Sequence, residues 1–286
     1  MAIARLWRSS GKFRTGLIIT VSLVLTALLH APLIHLTIGG TDPLQTGAFG
    51  IFESPSHAHP LGTDRFGRDV LGLVLVGLPN SLTVAAVAGV ISTIVGVVVG
   101  FVAGYKGGKV DTTLRTVTDM FLVIPTLPLI IILAAYVRKV TFIQIAIILA
   151  IFSWPYAARV IRSQVLSLRE RPYIELSKMT NMRDWEIIAQ DILPNMLPYI
   201  GIGFATSALG AAFALVGLEL IGLGPGDSMD LGLLINFAQQ WGVLSLGKWT
   251  VFVAPIVLLI LLFFGVVLIN QGMEEYYNPR LRAAEG

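Results

Sequence analysis

The chain has no cysteine among its 286 residues, so disulfides, thiolate nucleophiles and cysteine-ligated zinc are excluded, and no redox compartment can be inferred. Charge is scarce: 13% of residues are Asp, Glu, Lys or Arg, against 55% hydrophobic, with a mean hydropathy of +0.79. That is more apolar surface than a soluble domain of this length buries, and it makes the bilayer the solvent. A phosphate-gripping Gly-x-x-x-x-Gly-Lys-Ser/Thr loop is missing. Gly107-Gly108-Lys109-Val110 has neither the glycine spacing nor the hydroxyl, so the chain is not expected to be an ATPase or to hold a cofactor of its own. His57 and His59 stand without further ligands, which gives no metal set. The apolar runs contain no nucleophile and base for an intramembrane enzyme. A net charge of +3 would suit nucleic acid in a soluble chain, but here the basic residues mark sidedness and no nucleic-acid partner is expected.

What the chain does have is long apolar runs. A helix needs about 20 mostly apolar residues to cross a bilayer, and six stretches come close: Leu17 to Ile38, Ser81 to Tyr105, Met120 to Val137, Phe142 to Ile161, Leu197 to Leu223 and Trp249 to Asn270. The first follows Arg5, Arg8, Lys12 and Arg14, as a signal peptide would. It lacks a small-x-small cleavage site, is interrupted by His30, Pro32 and His35, and reads as a retained anchor. With the N-terminus inside, fifteen of the twenty Lys and Arg fall in cytoplasmic segments and five outside, so both termini are expected in the cytoplasm of a multi-pass inner-membrane protein. The expected architecture is an all-α integral membrane protein of about six transmembrane helices. Its parts are a cytoplasmic N-terminus (1–16), a first anchor helix (17–38), an external loop (39–80), a five-span core (81–270) and a cytoplasmic tail (271–286). Within the core, 162–194 is a cytoplasmic loop and 223–248 an external segment with Asp227, Asp230, Asn236 and Trp241, read as a re-entrant or external helix that forms part of an outer gate.

Inside the spans, Gly89, Gly96, Gly100 and Gly104, and again Gly201, Gly203, Gly210 and Gly217, are spaced to let helices approach closely, and helix packing is the preferred reading. Pro125, Pro128 and Pro155 remove helical hydrogen bonds and are expected to kink their spans. Glu219 is the one carboxylate within a span. It either lines a pathway, together with the Pro125 and Pro155 kinks, or reaches the nearby interface. Arg159 and Arg162 are expected to anchor the fourth span at the cytoplasmic surface.

The loop 162–194 is too polar to cross the bilayer and too well patterned to be slack. Pro172 suits the first position of a helix running to about Thr180, and Asn181 suits a left-handed C-cap. Asp184 is placed to cap a second helix, on which Trp185, Ile188, Ala189 and Ile192 share a face, with Pro194 and Pro198 ending it. Such a knob buries its stripe either on the chain's own helix ends or in a partner.

Glu175-Leu176-Ser177, then Asn181, then Leu193-Pro194 resembles the Glu-Ala-Ala loop of ABC-importer permeases in spacing, although both alanines and the glycine differ. Gly62-Thr63-Asp64-Arg65-Phe66-Gly67-Arg68-Asp69-Val70 is similar to the element that precedes the second span in the dipeptide, oligopeptide and nickel permease family. Ala103-Gly104-Tyr105, Ser153-Trp154-Pro155, Gln164 to Glu170 and Asn278-Pro279-Arg280-Leu281-Arg282 are similar to further elements of that family in the same order, and the pattern is nearest its second permease subunit. The resemblance implies an ATP-driven, binding-protein-dependent importer subunit moving short peptides, or oligosaccharides or nickel, by alternating access. It also implies partners: a second homologous permease, one or two ATPase subunits carrying ATP and Mg, an extracytoplasmic substrate-binding protein, and membrane lipids. Glu175, Leu176, Ser177, Asn181, Leu193 and Pro194 would form the ATPase-coupling loop, with Trp185 and Ile188 holding the second helix to the membrane domain. Gly62, Thr63, Asp64, Gly67, Arg68 and Asp69 would form an external element that either meets the binding protein or folds its own loop through ion pairs of Asp64 and Asp69 with Arg65 and Arg68. The competing class is an ion-coupled secondary transporter or channel, which would need an inverted repeat and several ionisable residues at mid-membrane.

Overall fold

The computed structural model describes residues 6–7, 10–136, 141–225 and 228–277. Among these the chain is helical, with a single isolated β-bridge between Thr63 and Asp69. The helices are α1 (Gly11–Leu28), α2 (His30–Ile38), α3 (Val70–Lys106), α4 (Gly108–Val123), α5 (Thr126–Tyr136), α6 (Phe142–Arg169), α7 (Pro172–Met179), α8 (Asp184–Ile187), α9 (Leu193–Leu220), α10 (Leu231–Gln240) and α11 (Thr250–Tyr277), with a π-helical turn Ile188–Ile192 between α8 and α9. Five continuous segments are long and apolar enough to cross a membrane. The pair α4 and α5, bent by 74°, makes a sixth when it is counted as one broken span.

Several boundaries differ from the sequence expectation, each for a local reason. The first span is two helices, because the ring of Pro32, in the first turn of α2, collides with the carbonyl four residues back at Leu28, where α1 stops. The second span starts at Val70 rather than Ser81: Asp69 caps it by accepting the Gly72 N–H (2.7 Å), and Pro79 is absorbed inside the helix. The third span is broken at Pro125, and its expected end at Val137 lies outside the described residues. Pro155 interrupts nothing, since α6 continues through it to Arg169, past the expected end at Ile161. The last span continues past Asn270 to Tyr277. Arg138, Lys139, Asp227 and Asn278 to Arg282 lie outside the described residues.

The bundle is knit by close backbone approach. A Cβ at Gly96, Gly100 or Gly104 would stand 2.6, 2.7 and 2.9 Å from Ala157, Ala158 and Val165 of α6, so only glycine lets α3 and α6 meet at this separation. Gly89 performs the same service toward Ala208 of α9. The α9 glycines are different: Gly210 faces nothing within 4 Å, and Gly201, Gly203 and Gly217 make only ordinary contacts. Packing within this chain therefore accounts for the α3 series and not for the α9 series. Between α3, α6 and α9 lies the main core, with Val84, Ala88, Leu149, Leu215 and Leu218 buried together. Helices α1 and α11 run antiparallel, joined at one end by Lys12 Nζ to Glu275 Oε1 (2.6 Å).

Candidate functional site

Two sites stand at opposite ends of the bundle. At one end, α7 is a short helix started by Pro172 and closed by a left-handed residue. Asn181 has φ +59°, its N–H bonds Lys178 O (3.1 Å), and the Met182 N–H reaches back to Ser177 O (3.3 Å). That pair of bonds satisfies the orphan carbonyls of the last turn, and Asn supplies the backbone conformation that glycine otherwise would. The Ser177 hydroxyl donates to Asp191 Oδ2 (2.7 Å), tying α7 to the π turn.

The second helix of the knob does not end at Pro194 and Pro198. It passes through the π turn, where Leu193 N–H bonds Ile188 O, straight into α9, with Pro194 in the first turn and Pro198 inside. The wide turn changes which residues face inward. Ile187 and Ile192, five apart, are fully buried with Ile174, Met196, Phe101, Ile161 and Val165, while Ile188 and Leu193 pack at the margin. Trp185, expected to hold this helix to the membrane domain, is 61% exposed. Asp184 is the first helical residue rather than the cap, and its carboxylate accepts the Tyr105 hydroxyl (2.9 Å).

The knob presents large apolar side chains outward among its polar ones. Leu176 is 63% exposed and Met179 84%, beside Tyr173 and Trp185, while Glu175, Asn181 and Pro194 are also exposed. Large apolar side chains grouped on a polar segment mark a contact surface. Their underside is anchored: the α7 stripe residue Ile174 is fully buried, so the exposed residues are held on a rigid base.

At the same end of the bundle, α3, α4 and α6 enclose a cavity of about 440 Å³ lined by Gly100, Ala158, Arg115, Asp119, Arg159 and Arg162. Arg159 and Arg162 do more than close a span. Arg159 Nη2 reaches Asp119 (2.7 Å), and Arg162 grips Asp111 with two nitrogens, the Nη2 contact being 2.6 Å. Both pairs cross from α6 to α4, fixing the half-span that precedes the break at Pro125.

At the opposite end, the loop before α3 is built inward. Asp64 and Asp69 are fully buried, Thr63 and Arg68 nearly so. Asp64 accepts the backbone N–H of Phe66 (2.8 Å) and Arg68 (3.0 Å) and the Arg68 Nε–H (2.8 Å). Asp69 pairs with His59 Nδ1 (2.8 Å) instead of an arginine. The Thr63 hydroxyl donates to Gly50 O (2.6 Å), and Gly62 and Gly67 sit at φ +78° and +66° against the neighbouring turn. Arg68 stacks over the rings of Phe66 and Phe237 (5.0 and 5.9 Å), which carries the loop onto α10. The sequence offers His59 no companion metal ligands; its structural role depends on Asp69, ten residues away, which spacing alone does not reveal.

Helix α10 lies across the ends of α3 and α9 and is capped by Asp230, whose Oδ1 accepts Gly232 N–H (2.6 Å) and Leu233 N–H (3.2 Å). Glu219 is 1% exposed and is packed against Gly224, Gly232 and Asp230, reaching neither an interface nor an open pathway in this chain. Pro125 lies at the α4–α5 break and Pro155 is buried in α6, so the structure does not bring these two together with Glu219.

Residues 96–283 match the model of a family described as binding-protein-dependent transport system inner membrane component. The chain belongs to that family. It is 31% identical over 236 residues to the oligopeptide transport system permease protein OppC of Mycobacterium tuberculosis, covering 82% of this chain and 80% of the relative. It is also 31% identical over 274 residues to the dipeptide transport system permease protein DppC of Alkalihalophilus pseudofirmus, covering 94% and 86%. A solved structure of the MetNI methionine ABC transporter in inward-facing conformations superposes with a TM-score of 0.53 at 20% identity, over 71% of this chain and 94% of that one, which shows the shared fold. The protein is thus a multi-pass permease subunit of a binding-protein-dependent ABC importer, a membrane component that works with ATPase and binding-protein partners. Both the knob and α10 fall inside the matched family region, whereas the 62–69 element precedes it.

Proposed function

We propose that this permease carries short peptides across the inner membrane by alternating access, as one of two homologous permeases driven by cytoplasmic ATPase subunits that hold ATP and Mg. The names of the OppC and DppC relatives support a peptide cargo. The observation that carries the mechanism is the knob: an exposed apolar face of Tyr173, Leu176, Met179 and Trp185 on a base of fully buried Ile174, Ile187 and Ile192. Motion of an ATPase at α7 becomes motion of a span, because the Ser177 hydroxyl ties α7 to Asp191 in the π turn and that turn runs into α9 without a loop. Glu175 and Asn181 orient α7. The excess of Lys and Arg in the segments around α7 supports the knob's end as the cytoplasmic one, with the N-terminus on the same side. The loop carrying Thr63, Asp64, Arg68 and Asp69 then faces the binding protein as a prefolded platform. Its buried ion pairs shape it, and exposed neighbours such as Phe66, 42% exposed, make the contact.

Co-purification from native membranes tests this reading, with ATPase activity compared between wild type and Glu175→Arg. Recovery of a second permease and ATPase chains, with coupling lost in the variant, is the expected result. A chain that purifies alone and transports down an ion gradient without nucleotide would overturn it.

A further inference from the structure

The outer end of α9 holds a pair of acidic side chains that the transport cycle as described does not use. Glu219 is 1% exposed and Asp230 0%. Glu219 Oε1 and Asp230 Oδ2 are buried without a hydrogen-bond donor, although Asp230 Oδ1 is fully occupied capping α10. The space for this meeting is made by missing side chains: a methyl at Gly224 would overlap the Glu219 carboxylate, and one at Gly232 would lie 3.0 Å from Asp230 Oδ1 and 3.1 Å from Glu219 Cβ.

Among the described residues no cation compensates the pair: α10 carries no ionisable side chain, α9 adds only Tyr199 near its other end, α3 has Tyr105 and Lys106 at its far end, and α11 has its acids in its last turns. Arg68 reaches α10 through Phe237 but is engaged by Asp64. Asp69 is held by His59 and the start of α3. Two carboxylates cannot both stay ionised when buried together without a counter-charge.

We infer that Glu219 and Asp230 hold one proton between them, and that this bound proton latches α10 to the outer end of α9. A carboxyl group donating to a carboxylate satisfies both orphaned oxygens with one O–H. Burial pushes the Asp230 carboxyl up from its ordinary range, in the same direction. The hydrogen bonds that stitch α10 to α3 and α9 are neutral: Asn80 Nδ2 to Met229 O (2.7 Å), Leu231 N–H to Ser81 Oγ (3.1 Å) and Asn236 Nδ2 to Leu220 O (3.2 Å). Among the described residues the carboxyl pair is therefore the contact in this seam that changes with pH. The folded latch binds a proton that separated carboxylates release near pH 4. Its stabilisation is complete below that range and is lost as pH rises through the raised value of the Asp230 carboxyl, leaving two buried negative charges that push α10 outward.

The cysteine-free sequence supplies the test. In the complete importer reconstituted in lipid nanodiscs, Leu231→Cys, at a fully buried position, is labelled with a membrane-impermeant maleimide from neutral to alkaline pH, with and without Glu219→Gln. The same samples are examined by infrared spectroscopy for a neutral carboxylic-acid carbonyl band. The expected result is a band present in the wild type and absent in Glu219→Gln, with labelling rising several-fold more steeply with pH in the Glu219 background. The amide donates to Asp230 without titrating, and comparison at equal pH cancels the reagent's own pH dependence. Asp230→Asn, which keeps a capping side chain, serves as the second variant and is expected to flatten the pH profile as well. Absence of the band with parallel labelling profiles would overturn the inference. So would labelling that rises on adding a chelator at constant pH, since that would show a metal cation in the proton's place.

Discussion

Truncating the exposed face of α7 separates a docking role from a folding role. Leu176 is 63% exposed and Met179 84%, and neither belongs to the buried cluster beneath the helix. Burying a whole Leu or Met side chain is worth about 1.5–3 kcal/mol, so covering the exposed fractions of both contributes roughly 2–4 kcal/mol. Alanine retains the Cβ, which leaves an expected loss of about 1.5–3 kcal/mol for the Leu176→Ala, Met179→Ala double variant. That corresponds to a Kd for the ATPase subunits about tenfold to a hundredfold weaker. Alanine is the best helix former, so the knob itself should keep its fold. The assay is binding of purified ATPase subunits to the detergent-solubilised membrane half, with substrate-stimulated ATPase activity of the assembled importer as the second reading. An unchanged Kd with intact coupling would refute the docking role of Leu176 and Met179, the two most exposed apolar side chains of the knob's outward face.

Other consequences concern the scaffold. Asn181→Gly should be neutral or slightly stabilising, whereas Asn181→Val should cost about 1–2 kcal/mol in thermal unfolding, since a β-branched residue resists φ +59°. Gly100→Leu should prevent a folded bundle from accumulating, seen as loss of the monodisperse peak in size-exclusion chromatography, because its Cβ alone would stand 2.7 Å from Ala158 O. Asp69→Ala removes the α3 cap and the His59 partner together and should lower stability by about 1–2 kcal/mol, with proteolysis increasing first in the loop before α3.

The sequence carried some of this structure in local signals and some not at all. Pro125 announces the break in the third span, and Pro172 with Asn181 announces both ends of α7, because those residues act within one turn of themselves. The glycines of α3 sit at close helix contacts, whereas the glycines of α9 meet only ordinary contacts or open space within this chain, since spacing shows that a helix can be approached closely and not whether a neighbour in the same chain does so. The π turn was invisible: no residue type dictates it, and it forms because Ile187 and Ile192 find one pocket among Phe101, Ile161 and Val165. A strict 3.6-residue period therefore chose Trp185 where the fold buries Ile187. Likewise, Glu219 could be seen as an unusual carboxylate in a span, but its partner Asp230 and the void at Gly224 come together only through the turn that follows α9.

The most direct test of the central claim is uptake into sealed vesicles containing this chain with its co-purified permease and ATPase subunits, supplied with the binding protein and a labelled short peptide. The account predicts accumulation that requires both ATP and the binding protein and falls in the Leu176→Ala, Met179→Ala variant. Accumulation driven by an ion gradient without nucleotide, and indifferent to that variant, would contradict it.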